Sequence, residues 1–461
     1  MAEYHIDPEI RYYNYAGRFP PLPMEDKPAP IPSVTDKTHP KLITDTTLRD
    51  GAQDPHFALF PVDARLRYFD LLHELDNGTG IIEQIEVFIY QQRDLWALER
   101  LLEREYAFPQ VTTWTRAIPK DIRDLVDVSR GSIKETGMLA SSSDHHIFDK
   151  LKYRSKAEAV EKYLAPILTA CENGIRPRIH LEDTTKADIH GFVIPFMQRV
   201  LDETDNWAKF RICDTIGWGS PDPYAPLPVG IPRLISTLVR ETGAELEFHG
   251  HNDFGMATAN SMAALRYGCR RVNVAFAGLG ERTGNTALEQ VMASYIREYG
   301  DPGFRLDVVA RIRDLITTEV CTIPPKQPII GEVFSTQAGI HQTGVRRSDD
   351  AGGGPIYLPF DAAMVGDEAV EQHRIGALSG MDGIVSVLNR KVKEETGQEG
   401  TYSTVSRAVK HVYDHIQASY DGSYDRDSDT LVGQRRTFFS AEEILALARE
   451  AEDDRRGSAG S

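Results

Sequence analysis

The chain has 461 residues, 26% of them charged, with 52 Lys and Arg against 69 Asp and Glu for a formal charge of −17. That acidic balance disfavours nucleic acid, whose phosphates require clustered Lys and Arg, and no run reaches the ~18 apolar residues of a membrane span. The first residues lack a signal-peptide layout, and Cys171, Cys213, Cys269 and Cys321 are too scattered for a disulfide framework or thiolate metal site, so the expectation is a cytoplasmic protein.

Eight of the 26 prolines fall within residues 1–40, interleaved with Tyr4, Tyr12, Tyr13, Tyr15 and Phe19. Proline blocks helices and strand ladders, so this stretch reads as an extended N-terminal arm, either disordered or lying on its own barrel or a second subunit. From residue 41, short β-branched or apolar runs recur at Leu42–Thr46, Ile81–Phe88, Val111–Thr115 and Thr136–Ser141. Four more follow at Arg178–Glu182, Phe210–Thr215, Leu246–His251 and Val272–Phe276. Between them lie helical patterns. In Asp63–Leu75, Leu66, Phe69 and Leu72 recur at one-turn spacing and Asn77-Gly78 supplies the stop. Lys156–Glu172, Ile231–Glu241, Met256–Tyr267 and Asn285–Tyr299 are further helix candidates.

Eight strands alternating with helices is the count for an α/β fold of the (β/α)8 TIM-barrel type, with an open doubly wound sheet as the alternative. The rhythm stops near Pro302. Four regions are therefore expected: an arm over 1–40, the catalytic barrel over 41–302, a linker subdomain over 303–390 contributing to the active site, and a small helical module over 391–461. The linker carries a helix at Leu306–Thr318 and the glycine-rich Ala351–Gly354. The C-terminal, mostly helical extension has amphipathic stretches at 403–420 and 440–451, and its polar residues from Glu452 on are expected to fray.

In a (β/α)8 barrel, active sites lie at the C-terminal ends of the strands. The first run ends Arg49-Asp50-Gly51, which reads either as a local salt bridge in a turn or as a cation beside an oxygen ligand. The seventh ends His249-Gly250-His251. Residues i and i+2 of a strand share a face, so both imidazoles can hold one divalent metal, with Asp50 completing the set and open positions left for substrate. Mixed N/O ligation does not choose among Zn, Mn, Co and Fe. The eighth strand leads into Gly278-Leu279-Gly280-Glu281-Arg282-Thr283-Gly284-Asn285, not a dinucleotide fingerprint because position 283 is Thr, but a candidate anion cradle. Glu182-Asp183-Thr184 and Asp214-Thr215 add acids and hydroxyls to the same rim, or serve as helix caps.

Asp45–Gly51, His249–Asp253 and Gly278–Asn285, in this order, closely resemble the acyltransferases that condense acetyl-CoA with 2-oxo acids: the 2-isopropylmalate, homocitrate, citramalate and Re-citrate synthases. The resemblance covers roughly residues 41–390. It implies that Asp50, His249 and His251 bind a divalent metal (Mn2+, Mg2+, Co2+ or Zn2+), with Asn285 a further or indirect contact. It implies that Arg49 stabilises the alkoxide, that Thr215 holds the 1-carboxylate, and that Glu182 matches the family's acid on strand five. Gly339-Ile340-His341-Gln342 and Tyr357 look like the segments that bring a histidine and a tyrosine to the reaction, and the proton-abstracting base is expected among His341, Glu182 and Tyr357. A homodimer is implied, with His341 serving its own or a neighbouring subunit's site. Small-molecule substrates are expected, and neither nucleic acid nor membrane. Hydroxymethylglutaryl-CoA lyase, a relative of another reaction class, carries a cysteine in its glycine-rich loop, and Gly278–Asn285 has none.

Two features bear on the 2-oxo acid. Gly376-Ala377-Leu378-Ser379-Gly380 stands where the isopropylmalate and homocitrate families carry Gly-Lys-His-Ser-Gly, and Gln53 follows Ala52 where relatives often have Glu. The stretch after Arg390 does not resemble a leucine-sensing domain, so leucine feedback is not expected. Arg116, His145, His146, Lys152 and His180 place cations and hydrogen-bonding groups at the barrel mouth. A dicarboxylic substrate is therefore expected, oxaloacetate first and its phosphinomethyl analogue second.

Overall fold

A computed structural model describes residues 40–350, 357–358, 360–367 and 373–458. The arm expected over 1–40, Pro40 apart, and the glycine-rich Ala351–Gly354 lie outside the described residues. The chain divides after Ile330 into two compact units.

The first unit is built on eight parallel strands: β1 (Leu42–Asp45), β2 (Ile82–Val87), β3 (Gln110–Thr115), β4 (Glu135–Ser141), β5 (Arg176–Glu182), β6 (Lys209–Asp214), β7 (Leu246–Gly250) and β8 (Arg271–Val274). β1 pairs with both β2 and β8, so the sheet closes and the open alternative is excluded. The expected strands and the observed ones differ only at their ends.

Around the strands run α1 (Val62–Asp76), α2 (Gln92–Leu102), α3 (Pro119–Ser129), α4 (Lys156–Glu172), α5 (Ile194–Glu203), α6 (Ile231–Thr242), α7 (Ala257–Arg266) and α8 (Leu288–Tyr299). α1 shows the local logic. It buries Tyr68, Phe69, Leu72 and Leu75 and stops where Asn77 turns left-handed at φ 55°. Each aliphatic or aromatic side chain buried this way contributes ~1.5–3 kcal/mol. A further helix, α9 (Val308–Glu319), packs on α1, and Arg311 pairs with Glu74 at 2.7 Å. The first unit thus continues past position 302, because Val308, Ile312 and Ile316 of α9 are apolar on one face and need a partner.

The barrel interior departs from the usual filling of branched aliphatics. Arg178 and Arg211 are 1% and 0% exposed, among Glu86 and Glu247, each 1% exposed. Arg211 donates to both oxygens of Glu86 at 3.1 Å and through Nε to Glu247 at 2.9 Å. Arg178 donates to Glu86 and, at 2.8 Å, to Glu135. Charges this deep persist only when paired. Here each carboxylate meets at least one guanidinium.

In the second unit, α10 (Gly339–Asp350) packs on α11 (Met381–Thr396), pinned by Thr343 and Arg346 on Asp382. α11 packs with α12 (Arg407–Asp421) and α13 (Ala441–Ser458) over Ile384, Leu388, Val412, Ile416, Ile444 and Leu445. A two-stranded hairpin, β9 (Ser423–Asp425) and β10 (Thr430–Val432), follows α12. α11 runs through position 390, where the sequence reading places a boundary. α13 continues to Ser458 through residues expected to fray. Among the described residues no helix is long and apolar enough to cross a membrane.

Candidate active site

Asp50 sits in a tight turn just past β1, its N–H bonded to the Thr46 carbonyl at 2.8 Å. His249 is the penultimate residue of β7 and His251 follows its last, so the two-residue period of the strand sets both rings on one side. The three side chains converge. Asp50 Oδ2 is 3.2 Å from His249 Nε2 and 3.9 Å from His251 Nε2, and the two Nε2 atoms are 3.2 Å apart. All three residues are buried.

The protonation pattern follows from their other partners. His251 Nδ1 faces the Gly284 carbonyl at 3.2 Å, an acceptor only, so Nδ1 carries the proton. His249 Nδ1 faces Asn273 Oδ1 at 2.8 Å, with the same result. Two unprotonated Nε2 lone pairs therefore point at each other beside a carboxylate. They cannot bond to one another, and an arrangement of three donors to one point suits a divalent cation. Burial and the neighbouring His249 push the His251 imidazole down to about 4, which keeps it neutral as ligation requires. Burial alone would raise the Asp50 carboxyl, but the Arg49 guanidinium beside it outweighs that and holds the acid well below the usual carboxylate range. Asn285 pairs its backbone with His251, gives Nδ2 to the Leu279 carbonyl at 2.7 Å, and leaves Oδ1 buried without a partner. That orphaned oxygen suits a fourth ligand or a ligand water.

Arg49 lies beside this cluster, with Nη1 3.3 Å from Asp50 and Nε donating to Glu86 at 2.6 Å. Its guanidinium lies 5.5 Å from the centre of the Trp114 ring. Above them opens a cavity of about 590 Å³. Of the residues singled out in the sequence, Arg49, Asp50, Gln53, Arg116, His180, Glu182, Thr215, His249 and His251 all line it. Thr215 Oγ1 accepts the Asp183 N–H at 2.8 Å, which directs its own proton elsewhere. Arg116 commits Nε and Nη2 to Asp121 at 2.9 and 3.1 Å. Glu182 accepts from Ser141 at 2.5 Å, His146 at 3.0 Å and Lys150 at 2.8 Å. Burial alone would raise this acid, but those donors outweigh it and hold it down at about 2.

His341 and Tyr357 belong to the second unit, where their ring centres lie 4.3 Å apart. Both are exposed within the described structure.

Much of the glycine-rich loop's backbone is committed within the fold: the N–H of Leu279 bonds to Phe276, that of Gly280 to Asp54, that of Gly284 to Glu281 and that of Asn285 to Gly278, and the preceding Ala277 bonds to Glu289. Gly284 sits at φ 83°, where a Cβ would overlap the Gly278 carbonyl. The loop sets the Gly284 carbonyl against His251 Nδ1 and buries the Asn285 side chain.

Sequence reasoning missed Glu86, Asn273, and the cavity wall of Phe88, Trp114 and Leu139. A signal was present: Gln84 and Glu86 alternate along β2, with Phe88 next in phase just past its end, placing two polar residues on the inward face.

The HMGL-like family model matches residues 41–316. The chain is 36% identical over 426 residues to the citrate (Re)-synthase of Clostridium kluyveri, spanning 90% of this chain and 89% of that protein. It is 38% identical over 334 residues to the citrate (Re)-synthase of Syntrophus aciditrophicus, spanning 70% and 51%. It is 34% identical over 369 residues to the 2-phosphinomethylmalate synthase of Streptomyces hygroscopicus, spanning 77% and 80%.

Proposed function

The chain belongs to the HMGL-like family, and from that membership we propose that it is an acyltransferase condensing acetyl-CoA with a dicarboxylic 2-oxo acid and releasing CoA. The acceptor is oxaloacetate, the product citrate of Re-type stereochemistry, and the enzyme a cytoplasmic homodimer. The observation that carries the substrate is the 36% identity to the Clostridium kluyveri protein along 90% of this chain. The 34% identity to the Streptomyces hygroscopicus protein favours a phosphinomethyl analogue of oxaloacetate as a second acceptor.

A divalent ion (Mn2+, Mg2+, Co2+ or Zn2+) on Asp50, His249 and His251 would supply Lewis acidity toward the oxygens of the 2-oxo acid. Thr215, its oxygen already occupied by the Asp183 N–H, offers its hydroxyl proton to the 1-carboxylate. Arg49, fixed by Glu86 before substrate arrives, donates to the alkoxide that develops as the new carbon–carbon bond forms. His341, with Tyr357 against its ring, takes the proton from the acetyl methyl group. Glu182 is a poor base, since its conjugate acid ionises at about 2; it orients His146 and Lys150 at the cavity rim. Water then cleaves the thioester, giving free CoA and the carboxylate.

A thiol-release assay tests this, with acetyl-CoA and oxaloacetate, 2-oxoglutarate, 2-oxoisovalerate or pyruvate, with and without chelator and added Mn2+. CoA release with oxaloacetate, lost on chelation and restored by Mn2+, is the expected result. Preference for 2-oxoisovalerate overturns the acceptor, and full activity after rigorous metal removal overturns the mechanism.

A further inference from the structure

The two histidines of the cluster are oriented by different means. His251 Nδ1 is bonded to a main-chain carbonyl, which no side-chain substitution removes. His249 Nδ1 is bonded to a side chain, Asn273 Oδ1, at 2.8 Å, and that contact leads into the barrel.

The orientation of Asn273 is determined by its other partners. Its amide nitrogen lies 3.3 Å from the Thr44 carbonyl, which only accepts, and 2.9 Å from Thr44 Oγ1. The nitrogen must therefore face Thr44 and the oxygen His249. Having accepted from Asn273, the Thr44 hydroxyl gives its proton to Glu247 Oε1. Glu247 is 1% exposed and is held by Arg211 through Nε at 2.9 Å and Nη2 at 3.2 Å. Every proton along His249, Asn273 and Thr44 thus points toward one buried carboxylate.

We propose that Asn273 is the positioning residue of the metal cluster, with Thr44 and Glu247 behind it forming a relay that fixes His249 as the Nδ1–H tautomer and aims its Nε2 lone pair at the ion. The proposal rests on the reading of Asp50, His249 and His251 as metal ligands. The arrangement has the form of a carboxylate–histidine–metal triad stretched by two neutral groups. Without the amide oxygen, the imidazole is at liberty to place its proton on Nε2, where it opposes ligation.

The test uses the full chain stripped of metal. Mn2+ affinity is measured by calorimetric titration, and imidazole tautomers are read from long-range 15N–1H spectra of the metal-free protein. Asn273→Leu keeps the shape and loses both hydrogen-bonding groups. It is expected to lower Mn2+ affinity by ~10–100-fold and to shift His249, but not His251, away from the Nδ1–H form. Thr44→Val cuts the relay one step further back and is expected to give a smaller loss of the same kind; it decides the matter if Asn273→Leu does not fold. The relay is refuted if the variant that folds binds Mn2+ as tightly as wild type with His249 still Nδ1–H, or if both histidines change together. Wild-type protein that binds no Mn2+ overturns the ligand reading itself and the relay with it.

Discussion

His249 and Asp50 are joined twice. Directly, Nε2 and Oδ2 lie 3.2 Å apart. The long way round, polar contacts run from His249 through Asn273, Thr44, Glu247, Arg211, Glu86 and Arg49 back to Asp50 without an apolar break. This ring visits β7, β8, β1, β6 and β2, so one buried ion cluster braces both Asp50 and His249.

Replacing a ligand separates chemistry from folding. His251→Ala is expected to reduce turnover by at least ~10²-fold and to abolish Mn2+ binding, with an unchanged far-ultraviolet circular dichroism spectrum. The ring lies at the cavity floor and not among the apolar contacts of the barrel wall, so a collapsed spectrum would show it to be a core residue instead.

Glu86 joins three guanidiniums, those of Arg49, Arg178 and Arg211. Burial alone would raise its acid, but those cations outweigh it and hold it well below the usual range. Glu86→Gln leaves three buried cations short of a charge and is expected to cost ~3–5 kcal/mol, read as a lowered urea midpoint. A change within ~0.5 kcal/mol would mean that the arginines rearrange onto Glu247 and Glu135.

The assignment of the base is checked by following deuterium exchange into the methyl group of acetyl-CoA in heavy water with oxaloacetate present. His341→Ala is expected to slow turnover by ~10²–10⁴-fold. Glu182→Gln is expected to raise KM more than it lowers kcat and to leave the exchange measurable. Equal loss of exchange in both variants would return Glu182 to the role of base. Mixed dimers of a His341 mutant with an Asp50 mutant report whether active sites are shared: recovered activity means that they are.

Burial raises the Glu289 carboxyl to about 7 from an ordinary 4.5. The folded value lies above the unfolded one, so the folded chain holds the proton between the two. Its contribution to stability is full below 4.5 and is lost as pH rises through about 7. Glu289→Gln keeps the shape without the ionisation and is expected to flatten the decline in urea midpoint between about pH 5 and 8 by an amount on the order of 1–3 kcal/mol. Burial also raises Asp45 to about 7 and Asp214 to about 6, and these acids sustain what slope remains. Parallel profiles for variant and wild type would count against a protonated Glu289.

The strands were legible because each is a short β-branched or apolar run between turn residues, as at Val111–Thr115. α2, α3 and α5 are absent from the expected helices; in α3 and α5 a proline, Pro119 or Pro195, occupies the first turn, where a missing N–H costs nothing. Asp50, His249 and His251 could be grouped from the sequence because the two histidines are local, two residues apart at the end of one strand. Asn273 could not: it meets Thr44 across 229 positions, and only the closure of β8 onto β1 makes them neighbours. Arg178, Arg211, Glu86 and Glu247 each looked like an ordinary charged residue until the closed barrel left them no route to water.

The charged filling of the barrel also shapes how the protein responds to temperature. Unfolding raises heat capacity by wetting apolar surface and lowers it by wetting polar surface. A barrel with Arg178, Arg211, Glu86 and Glu247 at its centre takes up less heat capacity on melting than one filled with leucine and valine. The penalty for stripping water from those ions also shrinks on heating, so the interior loses relatively less of its hold as the protein warms.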